Sequence, residues 1–123
     1  MLRYKQSTGE LFFLNEYGVW ESWGFGYSGH GVGLNNHALE NTANIGPLPH
    51  ALWSISMPYD DQHMGANCFR LVGLTYKGTR SGFLLHADNS KMDHSASEGC
   101  LVFTPTIRQK IADTKCSYIV VEA

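Results

Sequence analysis

The sequence predicts a mostly β fold of the α+β class, compact and with one short helix near the C-terminus. Short apolar runs recur along the chain between glycine, asparagine and proline turn signals, and helical patterning is confined to one stretch near the end. The 123 residues, 43% apolar and 12% aromatic, are enough for a single domain over residues 1–123 with a real core.

Leu2 to Lys5, Leu11 to Leu14 and Val19 to Trp23 are the first predicted strands. Ser7-Thr8-Gly9 and Asn15-Glu16-Tyr17-Gly18 are turn signals between them, so the three form an N-terminal meander. From Gly24 to Pro49 glycine and asparagine dominate, but Tyr27, Leu34, Leu39 and Ile45 are interspersed, which predicts a long loop that is ordered and shaped. Strands follow at Ala51 to Ser56, Phe69 to Tyr76, Phe83 to His86, Leu101 to Phe103 and Tyr118 to Val121. The helix runs from Pro105 to about Asp113, because Thr104 offers a cap for the free amides and Pro105 suits the first helical position. Ile107 and Ile111 share one face of it. Arg108, one residue further on than Ile107, faces either the site or solvent. There is neither a repeat nor a linker.

Composition excludes several classes of function. A formal net charge of −2 lacks the basic surface that a phosphate backbone requires, so nucleic acid is not an expected partner. No apolar run approaches the roughly 20 residues of a membrane span. The first twenty residues carry Arg3, Lys5, Glu10 and Glu16, and their longest apolar run is Leu11 to Leu14, well short of a secretory signal. The protein is therefore expected to be made in the cytoplasm without a signal peptide.

Three cysteines allow at most one disulfide and leave one thiol unpaired. Cys68 and Cys116 lie in apolar, strand-like surroundings and read as buried structural thiols or as a pair. Cys100 differs, because it ends a polar segment, Ala87 to Gly99, that joins two apolar strands. With His86 closing the first strand and Cys100 opening the second, neighbouring strands bring the two to the same end of the sheet. An ordinary thiol of pKa ~8.5 is only a few per cent thiolate at neutral pH, and a nearby imidazole supplies the missing base. Gly99, lacking a Cβ, permits a tight turn before the nucleophile, and the amides of Gly99 and Cys100 are candidate oxyanion donors.

Two rival readings of the same residues fail. Gly24-Phe25-Gly26-Tyr27-Ser28-Gly29 satisfies a dinucleotide-binding glycine pattern, but more glycines and asparagines follow where that motif needs a helix. Tyr27, Ser28 and Asn35 instead line a substrate cleft or simply make turns. His30, His37, His50, His63, His86 and His94, with Asp88, Asp93 and Cys100, offer zinc ligands, yet no pair has familiar metal spacing. No metal and no cofactor is expected. His94 reads as a polar loop residue; it, Ser95 or a backbone carbonyl orients His86.

Ser97-Glu98-Gly99-Cys100-Leu101, with His86 upstream at a strand end, resembles the Ser-x-Gly-Cys signature of the L,D-transpeptidase (YkuD-like) superfamily. The likeness extends to Gly26-Tyr27-Ser28-Gly29-His30-Gly31, Asn35-Asn36, Asn41, Asn44-Ile45-Gly46-Pro47-Leu48-Pro49, Arg80-Ser81-Gly82-Phe83-Leu84-Leu85-His86, Asp88-Asn89 and Ala96-Ser97-Glu98-Gly99-Cys100. These landmarks resemble the L,D-transpeptidase-like effectors of type VI secretion systems. The resemblance implies a compact L,D-transpeptidase-like β-sandwich or barrel and attack on the tetrapeptide stem of peptidoglycan, between meso-diaminopimelate and the terminal D-alanine. Water as acceptor gives L,D-carboxypeptidase activity, and a D-amino acid gives exchange. In such a family Cys100 forms the acyl-enzyme, His86 is the base, and Ser97 and Gly99 shape the nucleophile loop. Tyr27, Ser28, Asn35, Asp88, Asn89 and Arg108 are the expected stem-peptide contacts. A cognate immunity protein and a secretion-system carrier are the implied partners, and the periplasm of a target bacterium is the implied place of action. Val102 stands where many wall-synthesising L,D-transpeptidases have arginine, and Ala87 where glycine usually follows the histidine. The first argues against a housekeeping cross-linking enzyme. The alternatives are a phage-associated lysis enzyme of the same fold and a catalytically silent wall-binding module.

Overall fold

A computed structural model describes residues 1–123 and shows a mostly β architecture with one helix near the C-terminus. The N-terminal meander forms because alternate residues point inward. Leu2 and Tyr4 of β1 (Leu2–Lys5) and Leu11 of β2 (Glu10–Leu14) are fully buried. β2 pairs in turn with β3 (Trp20–Phe25), and all three strands run antiparallel. β3 begins at Trp20 rather than Val19 because Asn15 closes the preceding turn, its Oδ1 accepting from the Tyr17 and Val19 amides at 2.9 and 3.0 Å.

The glycine-asparagine stretch is ordered, as expected, but it is not all loop. It holds a two-residue strand, β4 (Tyr27–Ser28), and two single 3₁₀ turns, Gly31–Gly33 and His37–Leu39. β5 (Ala51–Ile55) follows. The next hairpin, β6 (Tyr59–Asp61) with β7 (Gly65–Gly73), extends the predicted strand backwards by four residues. Its polar turn gave no strand signal in sequence; Asp61 Oδ1 closes it by accepting from the His63 and Met64 amides. β7 stops at Gly73 because the Leu74 and Thr75 amides both turn back to Leu52 O. β8 (Leu84–His86), β9 (Leu101–Val102), α1 (Pro105–Thr114) and β10 (Tyr118–Glu122) complete the chain.

Thr104 caps α1 through Oγ1, which accepts from the Ile107 amide, and Pro105 opens the helix. Lys115 ends it in the left-handed conformation at φ 53°. Ile107 and Ile111 then join Trp53, Phe69, Phe83, Leu85, Leu101 and Ile119 in a continuous core.

The sheet order is β3-β2-β1-β10-β5-β7-β8-β9-β4, with β6 on β7. Its first and last members, β3 and β4, are consecutive in sequence and separated only by Gly26, so the sheet bends round almost into a barrel. The Gly26 amide donates to Gly9 O at 2.8 Å. A Cβ at Gly26 would run into Val102 O and the Phe103 ring. The corner therefore works only without a side chain.

One expectation about this sheet is corrected. β8 and β9 are parallel, with Leu85 opposite Leu101 and His86 opposite Val102. Ala87 to Cys100 is thus a crossover, and its length suits the dozen or so residues a parallel connection needs.

Gly26→Ala should cost about 1–3 kcal/mol, the range for overpacking a closed site. Urea unfolding of both proteins measures this, and an unchanged midpoint would show that the corner has slack.

Candidate active site

The parallel pairing sets the relation between Cys100 and His86. Cys100 lies level with Leu84, whose amide donates to Cys100 Sγ at 3.3 Å. Leu84, His86, Cys100 and Val102 share one face of the two strands, while Leu85 and Leu101 point into the core. Cys100 and His86 are therefore diagonal neighbours on that face, not residues brought to the same end of the sheet as the sequence led one to expect.

His86 is buried, and its Nδ1 lies 2.6 Å from Ala87 O. A carbonyl only accepts, so Nδ1 carries the hydrogen and Nε2 keeps its lone pair. Of the orienting groups considered from sequence, the backbone carbonyl is the one in contact. His94 sits edge-on against the Tyr27 ring at 4.8 Å, and Ser95 Oγ accepts from the Asn89 side-chain amide at 3.0 Å.

Burial pushes the His86 imidazole below its ordinary range, and the nearby Arg108 charge adds to this against the Ala87 carbonyl and the Asp88 and Asp61 charges. Burial also pushes the Cys100 thiol up, with Glu98 in support, against the Leu84 amide and the Arg80 charge. Desolvation wins at both groups, so the pair rests as neutral thiol and neutral imidazole.

Buried hydroxyls build the nucleophile loop. Ser97 Oγ donates to Cys100 O at 2.6 Å and accepts from the amides of Gly29 at 2.8 Å and Gly99 at 3.1 Å. Ser28 Oγ reaches Cys100 O at 2.9 Å and Gly99 O at 3.2 Å, and accepts from the Leu48 amide at 2.7 Å. The Gly99 amide is thus engaged by Ser97. The Cys100 amide has no protein acceptor and remains a free donor beside Sγ. Ser28 is fully buried and its hydroxyl is engaged by the loop; Asn35, partly exposed, supports the same strand through Oδ1, which accepts from the Ser28 amide.

Arg80, quoted among the family landmarks without a role, turns out to be a structural centre. Its Nη1 donates to Glu40 O and, at 2.9 Å, to Pro47 O; its Nη2 donates to Gly46 O at 3.1 Å and Glu98 O at 2.9 Å. The guanidinium also lies 5.1 Å over the Phe83 ring. Gly99, at φ +137°, leaves room where a Cβ would strike Arg80 Nη2 and the Phe83 ring.

Two cavities flank the pair. Cys100 opens into one of about 320 Å³, with Arg80, Leu84, Glu98 and Met64, the last from the β6–β7 turn. Ala87, next to His86, lines another of about 490 Å³ that brings together Tyr27, Asp88, Asn89, His94 and Arg108. There Tyr27 O–H donates to Asp88 Oδ1 at 2.7 Å and accepts from the Ala96 amide, which pins the crossover. Arg108 is 4% exposed, not solvated; Nη1 is held by Ala66 O and Nε has no partner.

All three cysteines are free: Cys68 is buried with Sγ against Met64 O and Gly65 O, and Cys116 lies beside Thr114 Oγ1. Of the metal-ligating side chains, only His37, Glu40 and His50 gather as a group of three, beyond the other arm of Arg80.

The family model described as the Tlde1 domain matches residues 24–119. No curated protein matches the sequence. Among solved structures, Bd1075 of Bdellovibrio bacteriovorus superposes with a TM-score of 0.62 at 16% identity, over 99% of this chain and 47% of that one. The helical cell shape determining protein Pgp2 from Campylobacter jejuni gives 0.60 at 10% identity, over 98% and 46%. At these identities the likeness is one of fold, and the chain spans about half the length of each.

A neutral Cys100 thiol should react slowly with iodoacetamide at pH 7, and its rate should climb only above the ordinary thiol range of about 8.5. Peptide mass spectrometry against pH reads this. Full reactivity at pH 6 would mean a thiolate–imidazolium pair instead.

Proposed function

We propose that this chain, which belongs to the Tlde1 domain family of L,D-transpeptidase-like type VI effectors, cuts or exchanges the terminal D-alanine of peptidoglycan tetrapeptide stems through a Cys100 acyl-enzyme. The family makes it a peptidoglycan-targeting effector. The observation that carries the finer reading is the shared face of Cys100 and His86, with a lone pair left on His86 Nε2 and an unpaired amide at Cys100.

In this reading a stem peptide lies across both cavities, presents the carbonyl of its diaminopimelate residue to Sγ in the one and reaches Arg108 with its terminal carboxylate in the other. The thiol proton passes to His86 Nε2 as sulfur adds to the carbonyl carbon. The Cys100 amide stabilises the oxyanion. The C–N bond then breaks, D-alanine leaves with the proton from His86, and a thioester remains. Water or a D-amino acid gives its proton to His86, attacks the thioester and regenerates the thiol. A neutral resting pair suits this order of events, because the imidazole is free to accept at the moment of attack.

Arg108 supplies the anion recognition. It is a buried cation with an unpaired Nε beside the larger cavity, and the stem ends in a carboxylate next to the scissile bond. The place of action is the periplasm of a target cell, and an immunity protein that covers the cavity at Cys100 would protect the producer.

Purified muropeptides incubated with the protein should yield tripeptides, or exchanged tetrapeptides when D-amino acids are added. Cys100→Ala and His86→Ala should each abolish this while unfolding as the parent does. Unchanged tetrapeptides under all conditions would remove the enzymatic reading and favour a silent wall-binding module.

The pH profile follows from His86. Its neutral form is the active one, and its folded pKa lies below the ordinary 6.5. kcat/KM should therefore hold down through pH 6.5 and fall only below it. Arg108→Gln should raise KM for stems and move this acid limb upward, since one of the influences holding the imidazole down is gone. Loss of activity with an unmoved limb would leave Arg108 a packing role only.

A further inference from the structure

Glu40 is a carboxylate that the fold takes inside and surrounds with two imidazoles. The turn His37–Leu39 is capped by Asn36, whose side chain accepts from the Ala38 amide, and it sets His37 and Glu40 three residues apart on one side. His50 comes from the start of β5, and its own amide donates to Glu40 Oε1 at 2.7 Å. His50 Nδ1 lies 2.8 Å from Glu40 Oε2, and His37 Nδ1 lies 3.6 Å from the same oxygen. The ligand atoms of all three residues fall within 4.8 Å of one another.

Buried Gln6 holds this arrangement from behind. Its Nε2 donates to Glu40 Oε1 at 3.1 Å and Leu48 O at 2.9 Å, and its Oε1 accepts from His37 Nδ1 at 2.7 Å. The carboxylate is almost inaccessible, at 8% side-chain exposure, while the imidazoles are open to solvent at 46% and 62%.

From this geometry we infer that His37, Glu40 and His50 form a binding site for a zinc-class divalent ion. Zinc bonds of about 2.0–2.2 Å to nitrogen and oxygen put tetrahedral ligand atoms roughly 3.3–3.5 Å apart. The two distances to Glu40 Oε2 bracket that spacing. The cation takes the place of the two Nδ1 hydrogens, with each imidazole keeping a hydrogen on Nε2. Two nitrogens and one oxygen select a first-row transition ion over magnesium or calcium. Solvent on the imidazole side supplies the fourth ligand. Gln6 Nε2 supplies an outer hydrogen bond to the ligating carboxylate, while the ion replaces the hydrogen that His37 Nδ1 otherwise gives to Gln6 Oε1. The pattern His-x2-Glu-x9-His matches no familiar motif, which is why spacing alone hid it.

The site sits on one arm of the Arg80 guanidinium, which holds Glu40 O on one side and Glu98 O of the nucleophile loop on the other. A bound ion therefore fastens the 37–50 segment on which that frame rests. It takes no part in the chemistry at Cys100, so its test is separate from that of the enzymatic reading.

The experiment is titration of EDTA-washed protein with ZnCl₂ by calorimetry and thermal unfolding, and with CoCl₂ by visible absorption. The parent, His37→Ala, His50→Ala and the double variant are compared. One equivalent of zinc should bind the parent and raise Tm by roughly 10 °C at a hundredfold excess over Kd. Cobalt should show the visible bands of a four-coordinate site with nitrogen and oxygen ligands. The double variant should lose both responses while keeping its far-UV circular dichroism, since both side chains are exposed. If a variant fails to fold, Glu40→Gln is the substitute, because the amide keeps the shape but weakens the ligand. No stoichiometric binding by the parent, or binding unchanged in the folded variants, overturns the site.

Discussion

The region around Cys100 depends on one cation. Arg80 gathers carbonyls from Glu40, Gly46, Pro47 and Glu98, four groups with little sheet to satisfy them, and stacks on Phe83 beneath. Only a planar fork with several fixed donors fits such a task; a lysine ammonium in the same place is a point charge with a stronger pull toward water. The bonds to Glu40, Gly46 and Pro47 are partly buried, where a carbonyl left unpaired costs about 1–3 kcal/mol; the bond to Glu98 is exposed. The arrangement also explains the conformation of Gly99. At φ +137° and without a Cβ, it lets the guanidinium lie close against the nucleophile loop.

The hydroxyls of Ser28 and Ser97 do the finer work. Both converge on Cys100 O, so the carbonyl is anchored while the amide of the same residue stays unpaired. That asymmetry gives the proposed nucleophile a fixed backbone and a free donor. Burial then governs the charge state. It raises the thiol and lowers the imidazole, and the Leu84 amide and Arg80 do not reverse it. A resting thiol, unlike a thiolate, is slow to be oxidised.

Much of the fold was legible in the sequence because its signals are local. The meander, most strand positions and the Thr104–Pro105 helix start follow from alternation, turn residues and capping, and each stands within a few residues of its predicted place. β4 and β6 were hidden, because two or three residues carry no period; only their partners in β9 and β7 make them strands. That the strand carrying His86 and the strand preceded by Cys100 are neighbours was legible, but their direction was not. An apolar run shows a strand without showing its direction, so His86 and Cys100 were expected at one end of the sheet. Ser28 looked like a cleft residue because a polar side chain in a glycine-rich stretch resembles surface, while inside it satisfies backbone groups. Arg80 and the His37–Glu40–His50 group left no trace in spacing, since their partners come from distant segments.

The strand order has a kinetic meaning as well. Leu2 of β1 lies beside Ile119 of β10, and this parallel pair occupies the middle of the sheet, between the meander and β5. Almost the whole chain separates the two residues that meet there. Loop-closure entropy must be overcome before the pair yields any contact energy, which is the signature of a slow, high-contact-order folder. On a ribosome the meander has no neighbour to pack against until the last strand emerges. β5 and β7 wait for the same event, because β10 lies between them and β1. Completion of the core thus waits for β10.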